Sequence, residues 1–346
     1  MIHMKNNMKR KIFAALLFIL AGLASLWLRP VPEQSRQGFA MNTIISMRVF
    51  SRDDKILDGA YDLLYRLDKL LSMYDSDSQI SKINNLAGVD KVIAAPEVLE
   101  VVKDSLRLYD LTEGIFNPLI GPVTRLWKIN RNSNNKPSRE SLDSAVALSD
   151  INNLELDENN IDLKNKGCLL DLGGIAKGYA SKKIADLLKS KGVKSGILDL
   201  GGNIYAIGSN DGEKWRIGIR DPLNPASNPA LVVNVEDSSV ITSGSYERFK
   251  VIDGKKYSHF FDVKTGESVQ SDLLSATLIT PDGSLADGLA TAFMIAGYEK
   301  SVSIIKKLSP QPGVVFIRQT ETGTPEIITN IKGSVSNAKF SLIAIE

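Results

Sequence analysis

Apolar residues recur at two different periods along this chain, and the alternation of the two predicts a mixed architecture. Between Lys55 and Tyr74, Ile56, Ala60, Leu63, Leu64, Leu67, Leu70 and Leu71 fall three or four positions apart, on one face of an amphipathic helix. Pro96, a favourable first-turn residue, opens a second helix that carries Leu99, Val102 and Leu106 to about Tyr109. A third helix, Leu285 to Tyr298, is built largely of small and apolar residues and has Asp282 or Ser284 as its cap. Asn130 to Ser138 (NRNSNNKPS) is polar throughout and reads as a surface loop. Short β-rich runs supply the rest: Asn42 to Phe50, Ile197 to Leu200, Trp215 to Ile219, Leu231 to Val235 and Ala276 to Thr280. The fold class is therefore α+β, a mixed sheet with a helical insertion in the first half.

One apolar run has no polar face. Ile12 to Leu28 (IFAALLFILAGLASLWL) is 17 residues without a charge, directly after Lys5, Lys9, Arg10 and Lys11. A basic cluster followed by an apolar stretch is an export signal. As a helix it spans roughly 26 Å, just enough for a hydrocarbon core about 30 Å thick. Gly22 and Ala24 offer a cleavage site, but the run continues through Trp27 and Leu28, which favours retention as a signal anchor. No cysteine lies near it, so the chain is not a lipoprotein. Positive flanks stay in the cytoplasm, which puts the body on the extracytoplasmic, periplasmic side, tethered to the cytoplasmic membrane. The chain divides into a leader (residues 1–29), a linker (30–38) and a single catalytic domain (39–346).

The leader also changes the meaning of the net charge. The 346 residues carry 42 Lys and Arg against 40 Asp and Glu, a balance of +2. Residues after Leu28 carry 38 against 40, or −2, because the four basic groups removed with residues 1–28 have no acidic counterpart before Glu33. That is no nucleic-acid binder. Cys168 is the sole cysteine, and His3 and His259 are the only histidines. A disulfide framework and thiolate or multi-histidine metal sites are excluded, so any metal is a hard one held by oxygen.

Several segments have the residue types of a binding site. Leu-Asp-Leu-Gly-Gly occurs twice, at Leu170 to Gly174 and Leu198 to Gly202, each closing an apolar run. Ile175, Ala180, Ile184, Leu187 and Leu188 between them are helically spaced, so the unit reads strand, Gly-Gly, helix, strand, Gly-Gly. Such glycines serve a tight turn or let an anion approach the backbone at a helix start. Lys177, in that first turn, opposes the helix dipole and suits a phosphate or carboxylate better than it suits the helix. Asp287 and Thr291 lie four apart on one helix face, either as two oxygen ligands for Mg²⁺ or as a solvated Asp beside a self-bonded Thr. His259 is the body's one titratable imidazole, a candidate acid or base or a structural residue. Thr242 to Tyr246 (TSGSY) is a hydroxyl-rich turn, and Cys168 is a small core residue.

In this order the segments resemble the ApbE-type FAD:protein FMN transferase family, from about Met41 to Leu308. The similarity is carried by Met41-Asn42-Thr43, by Ser72-Met73-Tyr74 with Asp77 to Asn84, and by Gly114 to Pro118 with Gly121-Pro122 and Leu126-Trp127. Asp171 to Gly178, Thr242 to Tyr246, Ser258 to Asp262 and Asp287 to Thr291 complete the series. The chain departs from the family's usual pattern at Asn117, commonly Asp, and at Val263, commonly Pro.

The resemblance implies a T-fold-related sheet with FAD between it and the helical insertion. It implies flavin or nucleotide contacts at Met41, Tyr74, Ile115, Phe116, Asn117, Asp171, Lys177, Phe261 and Ala290. It also implies Mg²⁺ on the side chains of Asp287 and Thr291 and the carbonyl of Gly174, with His259 as catalytic base. The expected reaction moves FMN from FAD to a Ser or Thr hydroxyl of an exported acceptor protein and releases AMP. A pyrophosphatase that uses water instead, and a non-catalytic flavin binder, are the alternatives.

Overall fold

The computed structural model describes residues 30–129, 135–320, 323–335 and 339–345. The expected leader lies outside these residues, as does most of the polar loop at 130–138. Among the described residues no helix is long and apolar enough to cross a membrane.

Nine strands form the main sheet among the described residues. They are β1 (Glu33–Ala40), β2 (Thr43–Phe50), β3 (Ser195–Leu200), β4 (Asn203–Gly208), β5 (Ser238–Gly244), β6 (Leu273–Thr280), β7 (Gly313–Gln319), β8 (Pro325–Thr329) and β9 (Ser341–Ala344). Their order in space is their order in the chain. Every neighbouring pair is antiparallel except β8 and β9, which are parallel. A meander of this kind needs only tight turns, so whatever is inserted between strands emerges at a sheet end.

The largest insertion, between β2 and β3, holds α1 (Ile56–Leu71), α2 (Gln79–Asn85), α3 (Pro96–Leu111), α4 (Gly121–Trp127), α5 (Arg139–Leu148) and α6 (Ala176–Ser190). Between β6 and β7 come α7 (Gly283–Ala296) and α8 (Tyr298–Ile305). The fold is α+β with its helical insertion in the first half. The main core lies where α6 and α7 cover one face of the sheet; Ile241, Leu278, Ile184 and Phe293 are fully buried there. The opposite face packs a second core against the small sheet of Trp215–Ile219 and Leu231–Val235.

Three expectations are corrected. Residues 30–38 are not a linker: Glu33 to Ala40 pair with β2 over their whole length, and the strands join through Met41 and Asn42. Both joining residues have positive φ, 50° and 58°, the geometry of the two-residue hairpin turn that matches strand twist. The polar sequence hid the strand because β1 is an edge with most side chains in solvent. The apolar run before the first Gly-Gly is not a strand either. Leu170 is held by a side chain: the Asn84 amide donates to its carbonyl (3.0 Å) and accepts from its N–H (2.7 Å). Asp171 N–H donates to Pro118 O (2.8 Å), which satisfies the next backbone group without a ladder. The hydroxyl-rich segment at Thr242 is also partly strand, since β5 runs on to Gly244.

Helix ends follow local chemistry. The α7 cap is Asp282, whose carboxylate accepts from Leu285 N–H (3.0 Å). Ser78 caps α2 and Ser138 caps α5 in the same way. α6 and α7 approach at Gly178 and Gly283; a Cβ at Gly178 would lie 2.0 Å from Gly283 O and 2.6 Å from Asp287 Cβ. Only glycine allows this contact, and it brings the two site-bearing helices together.

Candidate functional site

A cavity of about 640 Å³ opens at the sheet end where the insertions meet. The Gly-Gly turn before α6 contributes Asp171, Gly173 and Gly174, and the first turn of α6 contributes Lys177. Asp287, Thr291 and Ile295 follow along one face of α7, and Thr43, Gly201, Thr242 and Ser243 come from strand ends. The helical insertion adds Met73, Tyr74, Ile115, Phe116 and Asn117, with Thr124, Arg125 and Lys128 around α4. The loop after β5 closes the wall with Glu247, Arg248, His259, Phe260 and Phe261.

The residues singled out in the sequence thus fall around one space, apart from Met41 and Ala290. Met41 sits in the β1–β2 turn and packs on the main core, while its neighbour Thr43 reaches the cavity. Ala290 is fully buried, about 100° round the helix from Thr291, and so faces the core. Glu247, Arg248, Thr124, Arg125 and Lys128 were not singled out. Their signal was present as charges and hydroxyls beside the recognised segments, but no period or spacing marks such loop residues.

Asn117 lines the cavity with both ends of its amide occupied by the fold. Its Nδ2 donates to Ser149 O (2.9 Å) and its Oδ1 accepts from Leu119 N–H (2.8 Å). Those partners determine which end is nitrogen, and a carboxylate could make only one of the two bonds. Phe261 stacks on Trp127 (5.7 Å between centroids, 24° between planes), and Trp127 Nε1 donates to Gly266 O (2.7 Å), so this wall is rigid.

His259 has its Nδ1 3.0 Å from Arg248 O. A carbonyl only accepts, so Nδ1 carries the proton and Nε2 keeps its lone pair. Burial in the wall is the main reason its pKa is pushed down to about 4, with Arg248 and Lys177 adding positive charge nearby. Asp171 is shifted up by burial, although Gly173 N–H (2.9 Å) and the Thr124 hydroxyl bond its carboxylate. Glu247 is also shifted up by burial, opposed by Lys177 and Arg248. Burial pushes the adjacent Tyr246 up to about 12.

Asp287, Thr291 and Gly174 form an oxygen-only donor set. Asp287 Oδ2 accepts from Gly178 N–H (2.9 Å), which orients the carboxylate and leaves Oδ1 unused. Thr291 Oγ1 lies 3.5 Å from Gly174 O, which places the hydroxyl beside that carbonyl. Carboxylate, hydroxyl and carbonyl are hard donors and suit Mg²⁺; among the described residues no cluster of three His, Cys, Asp or Glu forms an alternative site.

Fold and cavity define an α+β enzyme with one oxygen-lined, cation-flanked cleft. The sequence model of the ApbE family matches residues 41–316, most of the body, and the chain belongs to that family. It is 33% identical to the FAD:protein FMN transferase of Treponema pallidum (strain Nichols), over 98% of this chain and 99% of that one. A Vibrio cholerae protein of the same name is 30% identical over 89% of this chain and 95% of its own length. Among solved structures, the flavin transferase ApbE from Vibrio cholerae superposes with a TM-score of 0.77 at 28% identity, covering 90% of this chain and 99% of that one. The ApbE protein of Thermotoga maritima gives 0.77 at 27%, with 85% and 96% covered.

Proposed function

We propose that this chain, a flavin transferase, moves FMN from FAD to a Ser or Thr hydroxyl of an exported acceptor protein and releases AMP. The observation that carries the reading is the facing of three functions across one cavity: the His259 lone pair, the Lys177 ammonium, and the oxygen set of Asp287, Thr291 and Gly174. Phosphoryl transfer needs mostly positioning and charge neutralisation, and these groups supply both.

In the proposed step the acceptor oxygen attacks the phosphorus of the FMN half. The bond from that phosphorus to the bridging oxygen breaks, and AMP leaves with the oxygen. The hydroxyl proton passes to Nε2 of His259. With its pKa near 4 the imidazole is unprotonated at neutral pH, and the anionic pyrophosphate beside it raises its proton affinity when bound. Lys177 donates to phosphate oxygens. Mg²⁺ held by Asp287, Thr291 and the Gly174 carbonyl would neutralise the pyrophosphate. Phe116, Phe261, Ile115 and Tyr74 supply apolar and aromatic surface for the flavin ring or the adenine.

The basic cluster ahead of the uncharged run supports a body on the periplasmic side, tethered by an uncleaved N-terminal segment. Replacing Asp287 with Ala should lower transfer at least 100-fold and remove its dependence on Mg²⁺. His259→Ala should lower kcat about 10²–10⁴-fold, with little change in affinity for FAD. Normal flavinylation by either variant removes the corresponding role.

A further inference from the structure

One residue beside the cavity is buried, polar and only half used. Asn203 opens β4 directly after Gly201 and Gly202, whose φ values of 66° and 92° turn the chain out of β3. In the ladder it lies opposite Ile241, so it shares the helix-covered face of the sheet. It is 1% exposed. Its Oδ1 accepts from Lys177 Nζ (3.4 Å), and its Nδ2 has no partner. An amide in this position costs stability that an apolar residue of similar size would not, so its presence calls for a compensating role.

Lys177 explains the need. Its flexible stem starts from the first turn of α6, where the helix dipole repels it. The cavity it enters also holds the carboxylates of Asp171, Glu247 and Asp287. A lysine left to itself there would pair with one of them and offer no net charge to a phosphate. Among the described residues, Lys177 makes no ion pair. Its one side-chain bond is to a neutral amide 26 positions away, contributed by the sheet.

We propose that Asn203 is a positioning residue whose amide oxygen holds the Lys177 ammonium toward the pyrophosphate of FAD without neutralising it. An Asp at this position would hold the lysine equally well but cancel its charge. A Leu would fill the space and release it. Asn holds the cation and leaves it charged, and the idle Nδ2 is the cost of doing so. This inference rests on the reading of Lys177 as a phosphate contact.

The test uses the full chain without acceptor, with FAD, ADP and riboflavin as probes, the last having no phosphate. Asn203→Leu should weaken FAD and ADP about tenfold, the effect of one charge-assisted hydrogen bond, and leave riboflavin binding unchanged. Its Tm should match or exceed that of the parent, because an unsatisfied buried group is gone. Lys177→Met should show the same selective loss, and the double variant should be no weaker than Lys177→Met alone. Asn203→Asp should also lose FAD affinity, although it retains a partner for the lysine. If Lys177→Met weakens FAD while Asn203→Leu does not, or if the two losses add, the positioning role is wrong and the phosphate contact stands. If Lys177→Met leaves FAD and ADP binding intact, the phosphate reading fails and takes this inference with it.

Discussion

At pH 7 the His259 ring is neutral, with one nitrogen committed to the Arg248 carbonyl and the other open to the cavity. Its pKa of about 4 against 6.5 in an unfolded chain fixes the sign of its effect on stability. Between those values the unfolded chain binds a proton that the folded one refuses, so stability falls as pH drops from 6.5 toward 4 and is indifferent to this group above 6.5. NMR titration of the His259 imidazole should find a midpoint near 4; a midpoint above 6 would remove the burial account. The buried cavity carboxylates Asp171 and Glu247 behave in the opposite sense. Asp171 is raised by burial, so its charge costs stability once pH exceeds the ordinary carboxylate range. Asp171→Asn keeps an acceptor for Gly173 N–H and should raise Tm by a few degrees at pH 7, with the gain vanishing near pH 3; a lower Tm at pH 7 would contradict this. At Asn117 the substitution runs the other way. Asn117→Asp sets a carboxylate against Ser149 O and should cost about 1–3 kcal/mol at pH 7 in urea denaturation, less as pH falls and the acid regains a donor. These roles were only partly legible in the sequence. Spacing placed Asp287 and Thr291 on one face, but nothing local distinguishes an Asn that braces a backbone from one that touches a ligand.

Elements with a strong period of their own were readable from that period. The helix at Ile56, the one opened by Pro96 and the small-residue helix capped by Asp282 all stand close to their expected limits. Segments whose partners are remote were not. The run ending at Leu170 has the composition of a strand, yet its hydrogen bonds go to Asn84, 86 positions earlier. Asn84→Leu should leave two buried backbone groups unpaired, cost about 2–4 kcal/mol, and loosen the Gly-Gly turn that follows. Hydrogen exchange should localise that loosening to residues 168–175; global destabilisation without local change would argue against a clamp. The contact of α6 with α7 makes a sharper demand. Gly178→Ala drives a methyl into Gly283 O and against Asp287, and should cost about 1–3 kcal/mol and weaken Mg²⁺ dependence along with it.

Across the whole molecule a simple meander carries the chemistry on its interruptions. Because strand order in space equals order in the chain, each insertion leaves the sheet and returns to the next strand, and several of them reach the same sheet end. That is why motifs scattered from Thr43 to Ile295 surround one cavity. The order of the motifs could be read along the chain, and their convergence follows from the topology. Charge is partitioned at this scale as well: the positive excess lies before residue 12, while Lys177, Arg125, Lys128 and Arg248 are gathered around the cavity. The central claim is transfer of a flavin nucleotide to a protein hydroxyl, and the most direct measurement is mass spectrometry of an exported candidate acceptor after incubation with the chain, FAD and Mg²⁺. The account predicts a covalent FMN adduct on a single Ser or Thr, with AMP formed in equal amount. Free FMN and AMP beside an unmodified acceptor, or FAD recovered intact, would contradict it.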